Sequence, residues 1–390
     1  MTARVIVVGA EPVGLCVALG LARNDIDVTL VDLALDDSTR FQYVHDWSVL
    51  PGLDSLGVLD AARAAGTVET DIAIAVARTG ERIDLDLTVL RDDTPFPFNL
   101  HLGQGALSAI LAEHLTRLPN AEIVRASHVD SLTQDNNGVS LGIVTADGTR
   151  VILGEWLIGA DGTVSAVRRL LGLGFPGFTW RERSVTALID ATLPPDTAAT
   201  TFVVDEEHSA LLQKAGDDRW TYTYAEPLTL TESTVAERLS DSINRPTKSS
   251  EVTILDWRTE RMHHRSAPSY RTGRVLLAGE SAHVTNRMIG HSSITGFFDA
   301  YRLTEALSAV IGGSADENVL DSYAERRRRV FLDDVAPLST SRKHLLTLDL
   351  GQLEPELDGY RKASGSPAAL RELLLVNREL AGTSPLIPLG

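Results

Sequence analysis

The chain has 390 residues, of which 43% are hydrophobic and 23% charged, a soluble globular composition with room for two domains or one domain carrying an inserted lobe. Its formal net charge of −17 argues against nucleic acid and anionic lipid as partners, because so acidic a surface repels them. The single cysteine, Cys16, excludes an intramolecular disulfide and a cysteine-rich metal site. No run of 18 apolar residues suggests a membrane span, and the N-terminus enters a strand too early for a signal peptide, so a cytoplasmic protein is expected.

Taken in chain order, "VIVVGA" reads as a short β-branched strand of the kind buried in parallel sheets, and "GLCVALGLARND" as a helix with Leu15, Ala18 and Leu19 on one face. "DVTLVD" is a second strand ending at Asp32, so the first 32 residues form a βαβ unit. Residues 105–118 form an amphipathic helix, and a meander follows that ends in the strand "WLIGA". From 176 to 268 the alternation in "TTFVVDE" and "RWTYTYAEP" predicts a separate antiparallel sheet. "GRVLLAG" at 273–279 returns to a buried parallel-type strand followed by helices. The basic run "ERRRRVF" at 325–331 reads as a solvated helix face, and "PAALRELLLVNREL" as a late amphipathic helix.

Three separated motifs occur in one order: "GAEPVG" at 9–14, "GADGTVSAVRRLLG" at 159–172 and "GRVLLAGESAHVTNRMIGHSSITGFFDAYRLTEAL" at 273–307. Together they resemble the class A flavoprotein monooxygenases, the aromatic hydroxylase family typified by para-hydroxybenzoate hydroxylase, over roughly residues 4–175 and 255–330. The resemblance implies an α/β protein with a Rossmann-like, GR2-type FAD-binding fold, an inserted antiparallel-sheet substrate lobe and C-terminal helices. Residues 1–175 with 269–345 would form the discontinuous FAD-binding unit, 176–268 the substrate lobe and 346–390 a C-terminal helical segment. Gly9 and Gly14 would shape the phosphate turn, and the helix after them would aim its N–H groups at a pyrophosphate. Asp32 would hold the adenosine ribose. Arg40, Gln104, Asp161, Gly279 and Gly290 match further family positions around the flavin. No metal set is present in the pattern.

The departures fall on the same contacts. Glu11 stands where the turn normally has its middle glycine, adding bulk and a charge that opposes a phosphate by roughly 4 kcal/mol at about 4 Å and an effective dielectric of 20. Glu280 stands where the family has aspartate. In "VTNRMIGHSSITG", Arg287 replaces a proline, Ser292 a glycine and Ile294 an asparagine, and serine is expected to fit poorly where glycine allows a ring to approach. The packing residues around these positions look intact. The expectation is a retained fold with weak, purely structural or absent FAD binding, Glu11 and Glu280 serving as counter-ions to Arg40 and Arg287.

Three functions compete on that basis. The eroded contacts favour a redox-neutral tailoring enzyme, a [4+2] cyclase like the dialkyldecalin synthases that resemble this family. Its apolar polyketide-type substrate, of polyether, tetronate or spirotetramate kind, would be folded by a shaped pocket. The alternative is a hydroxylase or epoxidase using FAD and NAD(P)H on an electron-rich ring. The third is a small-molecule-binding protein without catalysis. Tyr222 and Tyr224 are the candidate pocket residues, as hydroxyl donors to a substrate carbonyl, with His45 and Asp46 from the helix after Arg40. A monomer or homodimer is expected.

Overall fold

The computed structural model describes residues 2–33, 42–126, 128–216, 218–247, 252–347 and 350–387. Two eight-stranded sheets and a small three-stranded one organise them. The first strand, Thr2–Val8, lies at the centre of the first sheet, between Gly148–Gly159 and Val28–Asp32, parallel to both. Val275–Leu277 and Ala121–Arg125 extend the parallel run on either side. Val5, Ile6, Val7 and Val8 are all fully buried, which explains the unbroken β-branched run: a central parallel strand is covered on both faces and has no polar side to show. Val139–Thr145 and His128–Gln134 complete the sheet as an antiparallel meander.

The helix Pro12–Arg23 leaves the first strand with proline in its first turn, where a missing N–H costs nothing. It packs on the helices Gln104–Thr116 and His291–Ile311. Gly20 lets the last of these approach closely, since a Cβ there would sit 2.8 Å from the Thr304 methyl. The observed α/β architecture, with C-terminal helices, is the one the resemblance implies.

The second sheet runs in the order His283–Val284, Val252–Ser266, Gly177–Ala191, Arg219–Pro227, Ala210–Lys214, Thr200–Val204, Asp71–Val76 and Glu81–Asp86. Its last two strands precede residue 176 in sequence, so the antiparallel lobe is not built from 176–268 alone. Asp71–Val76 reaches it by pairing in parallel with Thr200–Val204. The helix Val235–Thr247 covers one face, packing Val235, Leu239 and Ile243 on Trp220, Tyr222 and Tyr224.

At the far end, Leu350–Ser364 and Pro367–Glu379 pack together and close over Glu81–Asp86 and the turn after it. Two forked ion pairs tie them down. Arg361 donates to both oxygens of Glu81 at 2.7 and 2.8 Å, and Arg371 to both of Asp93 at 2.6 and 2.5 Å. The basic run at 325–331 departs from its expected solvated character: Arg326 and Arg327 are buried within the helix Asn318–Val330.

Candidate active site

The carboxyl ends of the parallel strands meet at one edge of the first sheet, where ligands of open α/β sheets bind. Gly9 donates its N–H to the Val31 carbonyl at 2.9 Å, Ala160 to Val8 at 2.8 Å and Ala278 to Gly159 at 3.0 Å, so three loops converge. Gly9, Asp32, Asp161 and Glu280 are thereby brought to one cavity, although 23 to 129 residues separate neighbours among them in sequence. The turn itself tolerates only glycine at two places. A Cβ on Gly9, whose φ is +110°, would lie 2.3 Å from the Ala160 carbonyl oxygen, and one on Gly14 would lie 2.0 Å from that of Gly9. The first turn of the helix Pro12–Arg23, with its unshared N–H groups, therefore faces the cavity across a short glycine turn.

Glu11 occupies the N-cap position in extended backbone, φ −78° and ψ 166°, with no hydrogen bond from its side chain to the helix it precedes. Its carboxylate instead accepts from Gln104 Nε2, which places two of the expected flavin-site residues in contact with one another. Glu280 accepts from Thr163 Oγ1 at 2.9 Å. Arg40 lies outside the described residues, as does the Arg287 side chain, so the expected pairing of both acids with these arginines is not part of what is described.

Asp161 lines the cavity with its carboxylate already engaged by its own chain. Its carboxylate accepts from Ser165 Oγ at 2.5 Å and from the Ala166 and Val167 N–H groups at 2.7 and 3.1 Å. Burial pushes its pKa up while those donors oppose the shift. Both oxygens serve the start of the helix Ala166–Leu170, so Asp161 is a cap on the cavity wall rather than an open ligand.

The loop from Gly279 to Gly296 is held from behind by a fully buried cluster. Asp299 accepts from His283 Nε2 at 2.6 Å, from Arg327 Nε at 2.7 Å and from the Gly279 N–H at 2.9 Å. Burial acts to raise the Asp299 pKa, but His283 and Arg327 outweigh it and hold the carboxyl below its usual range. The glycine replaced by Ser292 also proves not to need glycine's freedom. The left-handed residue is Gly290, φ +77°, and position 292 already lies in the helix His291–Ile311. Ser292 Oγ accepts from the Thr285 N–H at 2.9 Å, so the serine fastens the loop instead of disrupting it.

One cavity of about 600 Å³ extends from this cradle to the second sheet. The sheet meets it with Thr221 and Thr223, beside Thr186 and Leu211 of the neighbouring strands. Tyr222 and Tyr224 are corrected by the same alternation: in a strand, neighbours point to opposite faces, and these two face the covering helix. Tyr222 donates to the Ser242 carbonyl at 3.2 Å and Tyr224 to the Glu226 carboxylate at 3.2 Å. Neither lines the cavity. The amphipathicity of 235–247 signals a helix that packs on a sheet, but not which face of the strand it covers.

His45 and Asp46 do line the cavity, both with internal partners. His45 Nε2 lies 3.2 Å from the Leu102 carbonyl, and burial, aided by nearby His101, lowers its pKa to about 4 against that bond. It is neutral at ordinary pH. Asp46 caps the short turn Trp47–Val49, accepting from the Ser48 N–H at 3.0 Å, and from Asn377 Nδ2 at 2.8 Å. The remaining wall was not anticipated: Arg342, Tyr360, Leu373, Leu374 and Asn377 come from the C-terminal helices. Among the described residues no group of three or more His, Cys, Asp or Glu could hold a metal, and no helix is long and apolar enough to cross a membrane.

The residues present fit a flavin dinucleotide in their backbone: the two-glycine turn, an open helix N-terminus and an acid closing the second strand form a nucleotide cradle. Comparison with known proteins agrees. The model of the family described as "FAD binding domain" matches residues 2–335. The chain is 37% identical over 344 residues to 6-hydroxy-3-succinoylpyridine 3-monooxygenase HspB of Pseudomonas putida (strain DSM 28022 / S16), covering 86% of this chain and 87% of that one. The crystal structure of p-nitrophenol 4-monooxygenase PnpA from Pseudomonas putida DLL-E4 superposes with a TM-score of 0.91 at 32% identity, covering 98% of this chain and 99% of that one. The Diels-Alderase PyrE3 shares the fold, with a TM-score of 0.77, but at 21% identity over 97% of this chain and 80% of its own it speaks to the fold alone. These relatives overturn the expectation of a [4+2] cyclase acting on a polyketide: the similar chains with near-complete coverage are monooxygenases. The chain belongs to the FAD-binding-domain family, among the class A flavoprotein monooxygenases.

Proposed function

We propose that this protein is an FAD- and NAD(P)H-dependent monooxygenase that hydroxylates a small aromatic ring. The observation that carries the reading is the continuity of the cavity, which joins the nucleotide cradle at Gly9 and Asp32 to a largely apolar chamber against the second sheet. When bound and reduced by NAD(P)H, FAD would supply the activation of dioxygen, one oxygen atom going to the ring and the other to water. The rest is the work of this chain's side chains and backbone. The N-terminus of the helix Pro12–Arg23 would hold the pyrophosphate, and Asp32 would accept hydrogen bonds from the ribose. Asp299, through the Gly279 N–H, keeps the Gly279–Glu280 turn in place. Met288, Ile289, Leu345, Leu373 and Leu374 exclude water from the chamber, which strengthens each polar contact made inside it. His45, neutral at ordinary pH, positions and does not protonate.

The two monooxygenase relatives act, by their names, on a hydroxylated succinoylpyridine and a nitrophenol, each a single substituted ring. In this reading the parallel-sheet part of the chain serves the cofactor and the eight-stranded sheet, with the C-terminal helices, serves the substrate. Glu11 keeps FAD exchangeable, since Gln104 holds its carboxylate beside the helix N-terminus where the pyrophosphate would lie. The need for NAD(P)H suits a cytoplasmic setting. The test is to supply purified protein with FAD, NAD(P)H and a panel of phenols and hydroxypyridines under ¹⁸O₂. The expected result is NAD(P)H oxidation stimulated by one substrate class and a product carrying one ¹⁸O atom. No stimulated oxidation and no labelled product across the panel would sink the reading.

A further inference from the structure

Arg342 lies near the end of the helix Ala336–His344 and lines the chamber beside Met288, Ile289, Leu345 and Tyr360. Its hydrogen-bond partner among the described residues is a neutral ring: Nη1 donates to His291 Nε2 at 3.1 Å. No described carboxylate forms an ion pair with it. The neighbouring cations differ. Arg258 donates to the Tyr43 hydroxyl at 2.7 Å and lies 3.8 Å from Glu260. Lys343, next in sequence, reaches Glu182 at 3.4 Å and sits 4.4 Å from the Trp180 ring centroid. A guanidinium carries five N–H donors. Facing them into an apolar chamber is unfavourable until something accepts them.

The orientation of Arg342 is held from the far side. His291 is fully buried, and burial together with the Arg342 charge pushes its pKa well below the usual value, so Nε2 is available to accept. Asn377 of the last helix lines the same cavity and donates from Nδ2 to Asp46 at 2.8 Å. The contact with His291 orients one edge of the guanidinium before any ligand arrives. Preorganised donors of this kind bind an anion at lower cost in side-chain entropy.

We propose that Arg342 is the anion anchor of the substrate chamber, pairing with an oxyanion (carboxylate or phenolate) on the aromatic substrate and selecting anionic over neutral rings. The proposal rests on the hydroxylase reading for the word substrate, but its test requires no turnover. FAD-loaded protein, without reductant, is titrated with 4-nitrophenolate, 4-hydroxybenzoate and the neutral ether 4-nitroanisole. The wild type is expected to bind at least one anion about tenfold or more tightly than the ether, the scale of a charge-assisted hydrogen bond. R342M is expected to remove that preference with FAD affinity unchanged and ether affinity within about twofold of wild type. Loss confined to one probe identifies which oxyanion the fork takes. R342K keeps the charge without the fork and is expected at an intermediate preference; it carries the test alone if R342M does not hold FAD. A wild type that shows no preference, or a full wild-type preference that survives in R342M or R342K, overturns the anchor. An Arg342-dependent preference without NAD(P)H oxidation would leave the anchor standing and sink the hydroxylase, while ring hydroxylation without the preference would do the reverse.

Discussion

The two ends of the cavity are built from different materials. The nucleotide end is mostly backbone: a turn in which two glycines are required, a helix N-terminus, and the ends of parallel strands. The far end, which the proposed function gives to the substrate, is mostly side chains drawn from seven strands of one sheet, from the loop before His291 and from helices beyond residue 336. Backbone constructions leave a compact sequence signature, because steric need for glycine recurs at fixed spacing. Side-chain constructions leave almost none, because a threonine, a leucine or an arginine is acceptable in many places. Substitutions at the two ends should therefore fail in different ways.

The largest effect is expected behind the nucleotide end. D299N removes the charge that partners both His283 and Arg327 in a fully buried cluster. Breaking such a pair costs about 3–5 kcal/mol, seen as a fall in the denaturant midpoint and loss of FAD retention. The sign of the pH dependence follows from the depressed Asp299 pKa. Its stabilisation is fully present above the unfolded-state carboxyl pKa and is lost as pH falls through the lower folded-state value. Acid titration of wild type against D299N should therefore show the difference in stability shrinking only in acid. A constant difference down to the lowest pH would refute the assignment.

G14A comes next, since its Cβ would meet the Gly9 carbonyl. Overpacking of this sort costs about 1–3 kcal/mol, and the variant is expected to lose FAD while the far chamber still binds an aromatic probe. Simultaneous loss of both would blur the contrast between the two ends. E11G should act at the nucleotide end in the opposite sense. Removing the carboxylate is expected to tighten FAD by about tenfold, about 1.4 kcal/mol, measured by flavin fluorescence quenching. An unchanged dissociation constant, in E11G and in the E11G/E280D pair alike, would show that the acids are accommodated without cost.

The smallest effect is expected for Y222F. The hydroxyl donates to a carbonyl of the covering helix, so its loss should lower stability by about 1 kcal/mol and leave turnover of any identified substrate unchanged. T223V on the adjacent, cavity-facing position should show the converse: altered KM with little change in stability. If Y222F alone impaired turnover, the two faces of this strand would have been assigned the wrong way round.

Much of the nucleotide end was legible in the sequence. The first βαβ unit, the strand ending in Asp32 and the return strand at 275–277 follow from hydrophobic runs and glycine spacing, and the structure has them. Individual roles were less legible. Ser292 looked damaging because it replaces a glycine, whereas the left-handed residue lies two positions earlier, at Gly290. Arg327 read as one of a solvated run, yet it is buried on Asp299, because a run of four arginines on a helix necessarily sends one toward the core. The departures at Glu11 and Glu280 suggested an abandoned redox site, and the monooxygenase relatives showed that inference to be too strong.

The sequence by itself determined the parallel core and the phosphate turn, since both depend on local sterics and on apolar runs that admit few alternatives. Only the tertiary structure decided which face of the strand 219–227 meets the cavity, that strands 71–76 and 81–86 join the distant sheet, and that the final helices wall the chamber. Those outcomes depend on which surfaces find each other at long range. The strand's alternation gave two equivalent faces; packing of one helix on the tyrosines turned the threonines inward. Arg342 is the extreme case, an ordinary arginine in an ordinary helix until His291, 51 positions earlier, meets its guanidinium at the cavity wall.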